Sequence, residues 1–257
     1  MPDTLPEPIV SIDPTAPAQL RVALDRKEAE QRELDEFISL LAHDLRTPLT
    51  SIRGYAQLML RQRRDIPNDD SVSSGLRTIV EQSDRLATMT EALLDVSRVR
   101  LGRIALKPGY VNLTVLAERA AAIWDGPPPA LDLPDGELKV RGDSNRLHLL
   151  LRALARYVAG RTGAGSATLR LSQNAGSATL IVEDDGAPDA DAGNLLDRLV
   201  VPKQAGSGWQ LGHPDLYVAR GVAQAHRGTL IVESPIAGSS QGVRFSLVLP
   251  LADETVP

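Results

Sequence analysis

Leu-Leu-Ala-His-Asp-Leu-Arg-Thr-Pro-Leu-Thr, residues 40–50, puts a histidine beside a carboxylate within a helical pattern, with Thr47 one turn further on and Pro48 directly after it. Around this run Ile38, Leu41, Leu45, Pro48, Ile52, Tyr55 and Met59 step by three and four residues, as a heptad seam does. His43 falls between Leu41 and Leu45, on the face away from that seam. Pro48 removes one backbone hydrogen bond and is expected to kink the helix. A neutral imidazole is a good nucleophile near pH 7. Asp44 is the adjacent group that can take or orient its ring proton, and Thr47 can position a water or a partner's phosphoryl group. Arg46 and Arg53 read either as solvated charges or as groups that help hold a phosphoryl group. On the residues alone, His43 is also compatible with an ordinary exposed helix histidine.

Working outward, residues 1–18 carry Pro2, Pro6, Pro8, Pro14 and Pro17 and are expected to form a flexible arm. A long helix is expected from about Gln19, a turn at 64–70 and a second helix at 71–101. Leu76, Ile79, Leu86, Met89, Leu93 and Val96 give the second helix one apolar face. Two such helices make an antiparallel hairpin, and one hairpin cannot bury both stripes. Two copies forming a four-helix bundle are therefore expected, a homodimer through the hairpin.

Past Gly102 the texture changes. Strands are expected at 138–141, 167–172, 178–183, 229–233 and 244–249, helices at 113–124, 144–159 and 216–226, and loops at 127–129, 160–165 and 205–212. The chain thus divides into the arm (1–18), a helical hairpin (19–105), an α/β sandwich (106–252) and a tail (253–257), an α+β architecture.

Composition narrows the function. Of 257 residues 42% are hydrophobic, but only two Phe and two Trp are present, so the core must be mostly aliphatic. A net charge of −5 argues against a nucleic-acid binder that works by phosphate neutralisation. Without cysteine there is neither a disulfide framework nor a thiolate metal site, and the four histidines show no metal-ligand spacing. The richest apolar run, 147–158, is broken by Arg152 and Arg156, so no membrane span is expected and the reading is cytoplasmic.

The 40–50 run resembles the phospho-acceptor box of two-component sensor histidine kinases, and residues 106–252 resemble their GHKL-type ATP-binding domain. The resemblance implies that His43 accepts a phosphoryl group and passes it to an aspartate of a response-regulator receiver domain. In that family an acid-x-x-Thr stretch beside the histidine serves dephosphorylation of the regulator, and Asp44-Leu45-Arg46-Thr47 is similar to it. It further implies ATP and magnesium as cofactors. Asp184-Asp185-Gly186-Ala187-Pro188 resembles the loop whose aspartate accepts the adenine amino group. This implies Asp184 and Gly186 as nucleotide-binding residues, although the same residues also read as an acidic turn after a strand.

Three phosphate-side positions depart from the family pattern. Counted from Asp143 and Arg146, Tyr157 stands where an asparagine holds magnesium, and Ala153 where a second asparagine is usual. Pro188 replaces a loop glycine. His213-Pro214-Asp215-Leu216 replaces the glycines that wrap a triphosphate at a helix N-terminus, where Asp215 is expected to cap the helix and repel phosphate. A gapped alternative places 206–211 in that role. Weak or absent Mg-ATP binding is the expectation, with the fold retained. Three functions stay open: a histidine kinase that labels its own His43; a phosphotransfer or phosphatase protein fed by a separate sensor or kinase protein; and a scaffolding pseudokinase. His226 reads as structural.

Overall fold

The computed structural model describes residues 18–62, 69–124, 126–162, 166–203 and 208–252. The expected N-terminal arm, most of the expected turn at 64–70 and the tail from 253 lie outside them.

Helix α1 (Ala18–Gln62) runs on through Pro48, and α2 (Asp69–Arg100) packs along it as a hairpin. The inner stripe of α1 differs from the heptad reading by one residue. Phe37 is fully buried with Leu41 and Pro48, whereas Ile38 and Tyr55 are exposed; on α2, Val96 is buried and Leu76 exposed. The reason is tertiary: Phe37, Leu41 and Val96 pack against Leu199 and Val200 of the following domain as well as against each other. A second set of apolar side chains, Leu49, Leu58, Val80 and Leu94, stays exposed along the hairpin.

The α/β part is a five-stranded sheet with helices on one face. Its strands are β2 (Ala130–Asp132), β4 (Ala167–Asn174), β5 (Ser177–Asp184), β8 (Thr229–Glu233) and β9 (Val243–Pro250), ordered β2-β4-β5-β9-β8. Only the β2–β4 pairing is parallel. Along β4, β5 and β9 alternate residues are buried: Leu169 and Leu171, Leu180 and Val182, Phe245 and Leu247. That period-two pattern faces one side of the sheet to helices α3 (Leu113–Ala122), α4 (Ser144–Thr162) and α5 (Pro214–Ala225). Two small antiparallel pairs complete the fold: β1 (Gly109–Asn112) with β3 (Lys139–Gly142), and β6 (Val200–Pro202) with β7 (Trp209–Leu211). The latter replaces part of the loop expected at 205–212.

Local chemistry fixes the helix starts. Asn112 Oδ1 accepts the amides of Thr114 and Val115 to open α3. Asp143 Oδ1 does the same for α4 with the amides of Asn145 and Arg146, while its Oδ2 accepts the Lys107 amide at 2.9 Å. Burial works against the charge on Asp143, but these backbone donors outweigh it and hold the carboxyl below the usual carboxylate range. The Asp143 amide in turn donates to His226 Nε2 at 2.9 Å, so the His226 proton lies on Nδ1, which donates to Val222 O at 2.8 Å. His226 is buried where α5 ends, a structural position as the sequence indicated.

The two parts are clasped together. Arg146 Nη1 bridges to Asp95 at 3.1 Å and the Leu199 amide donates to Glu33 Oε1 at 2.8 Å, while within the hairpin Arg100 Nη2 donates to Glu30 O at 2.8 Å. Among the described residues no helix is long and apolar enough to cross a membrane.

Candidate functional site

His43 lies on the outer face of α1. Its side chain is 75% exposed, and Nδ1 is 3.3 Å from Asp44 Oδ1, whose carboxylate is 47% exposed. With the proton on Nδ1, Asp44 accepts it and the Nε2 lone pair faces solvent. Thr47 is exposed one helical turn along, on the same side as His43. Leu41, two residues before His43, is anchored in the cluster with Leu199 and Val200. The backbone beneath the histidine is therefore braced by the α/β domain while the ring stays accessible.

Asp184 and Gly186 occupy a separate place, the end of β5 and the loop after it. Asp184 is buried, with its Oδ1 accepting the Gly186 amide at 2.9 Å. The Gly186 carbonyl accepts the Gly242 amide at 2.7 Å, and a Cβ added at Gly186 would stand 3.1 Å from Asp184 Oδ1. Asp185 Oδ1 takes the Ser166 amide at 2.7 Å, closing the strand entry opposite.

Tyr157 and Arg161, on successive turns of α4, reach the same end of the sheet. The Tyr157 hydroxyl donates to Asp189 Oδ2, and its ring stands edge-on to His213 (4.9 Å) and Phe245 (5.4 Å). Burial first, and Asp189 second, push the phenol far above its ordinary value, so it remains a protonated donor. Arg161 Nε lies 3.4 Å from Asp184 Oδ2 and its Nη1 lies 3.2 Å from Asp189 Oδ2, while Nη2 donates to Ala187 O. Asp189 is itself positioned by its amide, which donates to Ser234 Oγ at 2.8 Å.

At the start of α5, His213 occupies the cap position without a side-chain cap bond, and Pro214 opens the first turn. Asp215 is thus not the cap the sequence suggested. It sits inside the first turn, where its Oδ1 accepts the Leu216 amide and its Oδ2 lies 3.4 Å from Arg156. The helix begins where the ungapped count placed His213–Leu216. In the gapped alternative, residues 206 and 207 lie outside the described residues and 209–211 form β7.

Arg161, Asp189 and Ser234 are site residues that the sequence alone does not single out. One signal for Arg161 is present: it follows Tyr157 by four residues, so both share a helix face.

Residues 33–102 match the model of the His Kinase A (phospho-acceptor) domain. The chain is 32% identical over 244 residues to the probable sensor histidine kinase TcrY of Mycobacterium tuberculosis, covering 90% of this chain and 49% of that protein. It spans about half the length of the curated relatives it matches. Its fold resembles full-length ShkA in complex with AMPPNP, with TM-score 0.61 and 20% identity over 87% of this chain and 47% of that one. It also resembles the histidine kinase ThkA in complex with response regulator protein TrrA, with TM-score 0.56 and 18% identity over 95% of this chain and 70% of that one. Together with the hairpin and the sheet these findings define the class. The chain belongs to the two-component sensor histidine kinase family.

Proposed function

We propose that this chain is a two-component phosphotransfer core. His43 takes a phosphoryl group on Nε2 and exchanges it with an aspartate of a response-regulator receiver domain. The observation that carries this reading is the exposed His43 ring held by Asp44 within the matched phospho-acceptor segment. In the uptake direction, the Nε2 lone pair forms the N–P bond as the P–O bond of an aspartyl phosphate breaks. The aspartate leaves as a carboxylate. Asp44 holds the Nδ1 proton of the resulting imidazolium, and the reverse step delivers the group to the regulator. Thr47 serves the competing hydrolysis by positioning a water, as the family resemblance implies.

The partner is a receiver domain, by analogy with the ThkA–TrrA complex. The exposed stripe of Leu49, Leu58, Val80 and Leu94 supports homodimerisation of the hairpin into four helices. Residues 19–105 form the acceptor unit and 106–252 the nucleotide-type unit of this reading.

Mg-ATP fits the second unit poorly. Tyr157 places a phenol oxygen, its proton already hydrogen-bonded to Asp189, where the family resemblance implies an asparagine carboxamide oxygen, a better magnesium ligand. The Asp215 carboxylate occupies the helix turn that would face phosphates. We therefore read the phosphoryl supply as a separate sensor or kinase protein, or a phosphorylated regulator. Autophosphorylation is the second reading, favoured by the AMPPNP complex of ShkA.

The test is acid-labile labelling of the purified chain and of His43→Ala. One arm offers Mg-ATP and the other a phosphorylated receiver domain. Label from the receiver only, lost in His43→Ala, is the expected result. Label from Mg-ATP establishes the kinase reading, and no label from either donor overturns phosphotransfer.

A further inference from the structure

We propose that Arg161 is a built-in occupant of the purine subsite at Asp184, so that a base binds only once this side chain has left. The inference rests on the reading of Asp184 and Gly186 as a base-facing pair. Asp184 is fully covered, and both its oxygens are engaged: Oδ1 by the Gly186 amide at 2.9 Å and Oδ2 by Arg161 Nε at 3.4 Å. The same guanidinium reaches Asp189 at 3.2 Å and Ala187 O, and its carbon lies 5.6 Å from the centre of the Tyr157 ring. It thereby supplies the interactions a purine would bring to such a pocket: N–H donors for a buried carboxylate and a flat face beside an aromatic ring.

The arrangement is anchored on every side. Tyr157 is fixed by Asp189, His213 and Phe245, and Asp189 by Ser234, whose Oγ donates to Gly242 O at 2.8 Å. Gly242 leads back to the Gly186 carbonyl. A base amino group arriving at Asp184 has to displace a charged partner from a buried carboxylate, which is unfavourable unless the newcomer replaces those bonds. Apparent affinity then falls by the fraction of molecules whose Arg161 is withdrawn.

Adenosine is the probe, because it lacks the phosphates and reports the base subsite alone. Calorimetric titration into the full chain is expected to give no saturable binding, and Arg161→Ala to bind at least about tenfold more tightly than the parent chain, the ratio expected if fewer than roughly one molecule in ten is open. Guanidinium ion at low millimolar concentration is expected to raise the melting temperature of Arg161→Ala above that in matched sodium chloride, and to leave the parent chain unchanged. If Arg161→Ala fails to fold, the parent chain still decides. The Arg161 Nε–H resonance should exchange slowly with solvent and ignore added adenosine. Fast exchange, or adenosine binding to the parent as tightly as to the variant, overturns the occupant while leaving Asp184 as a base site. Guanidinium rescue without adenosine binding to either protein overturns the proposal through its other premise, the base-facing role of Asp184.

Discussion

On α1 the His43 imidazole is largely exposed and its Nε2 is free to meet a partner, while at the end of β5 the covered Asp184 is held by Gly186 and Arg161, and Asp189 by Arg161 and Tyr157. The first arrangement keeps a reactive lone pair available, with a single carboxylate to fix its tautomer. The second satisfies buried polar groups internally, and that closure adds to the rigidity of the sheet end. On the proposed reading, the site that exchanges a group with another protein is presented on a helix surface. At the end of β5, by contrast, the polar groups satisfy one another, so any ligand there has to replace bonds already made. The contrast can be attacked from both sides.

The largest effect is expected at the open site. Asp44→Ala should slow phosphoryl uptake from a phosphorylated receiver by about 10²-fold or more, because the Nδ1 proton loses its acceptor as positive charge develops. Stability should stay within about 0.5 kcal/mol of the parent, as for other exposed substitutions. Stopped-flow transfer and a urea melt on the same preparation separate the two. An unchanged rate would leave His43 acting alone and remove Asp44 from the chemistry.

The closed half answers in stability rather than rate. Asp143 supports the start of α4, the helix that carries Tyr157 and Arg161, by accepting three backbone amides. Asp143→Ala is expected to cost roughly 2–3 kcal/mol through the lost cap and the stranded amides. Its pH dependence has a defined sign. The folded carboxyl is held below its unfolded value, so its contribution is fully present above the unfolded pKa of about 3.9 and lost as pH falls through the lower folded value. Urea melts from pH 7 downward should show the parent and Asp143→Ala converging at acid pH. A gap that stays constant with pH would mean that packing, not the charge, supplies the difference.

How much of the molecule is legible in its sequence depends on the range of the interactions. The alternation through 167–172, 178–183 and 244–249 reveals strands because one sheet face is buried throughout. The His43–Asp44 pair is legible because its partners are adjacent in sequence. The α1 seam reads one residue off at Phe37, because the burial there comes from Leu199 and Val200, more than 150 positions away. Strands β6 and β7 are not legible because three residues carry no period and their surroundings read as loop. Arg161 meets Asp184 and Asp189, 23 and 28 positions on, and only the folded sheet brings them together.

The joint between the halves gives a smaller effect. A Cβ at Gly221 of α5 would fall 2.6 Å from Val99 Cγ1 on α2, and a β-branched side chain has little room to turn away. Gly221→Ala should therefore cost about 1–3 kcal/mol by overpacking. Val99→Ala should recover most of that loss in the double variant, measured by denaturation as a coupling energy. If the double variant is merely additive, α5 and α2 do not share this contact in solution. If Gly221→Ala leaves stability intact but changes the transfer rate at His43, the α/β domain moves on the hairpin instead of straining against it.

The smallest effect tests the α/β fold away from both sites. Arg227 follows the end of α5 with φ of 58°, a left-handed conformation that a side chain's Cβ resists and glycine accepts freely. The bonds that close the helix there run through the backbone: the Arg227 amide to Gln224 O and the Gly228 amide to Ala223 O, both at 2.9 Å. Arg227→Gly keeps those bonds and relieves the strain, offset in part by the greater freedom of glycine in the unfolded chain. A net gain of about 0.5–1 kcal/mol is expected, read as a higher urea midpoint with unchanged slope. Ala175, at φ of 41° between β4 and β5, provides a second position with the same logic, and Ala175→Gly should move in the same direction. A loss at Arg227 with a gain at Ala175 would mean that the arginine side chain contributes more than its backbone strain costs, and the closed half would then extend beyond Arg161 to the end of α5.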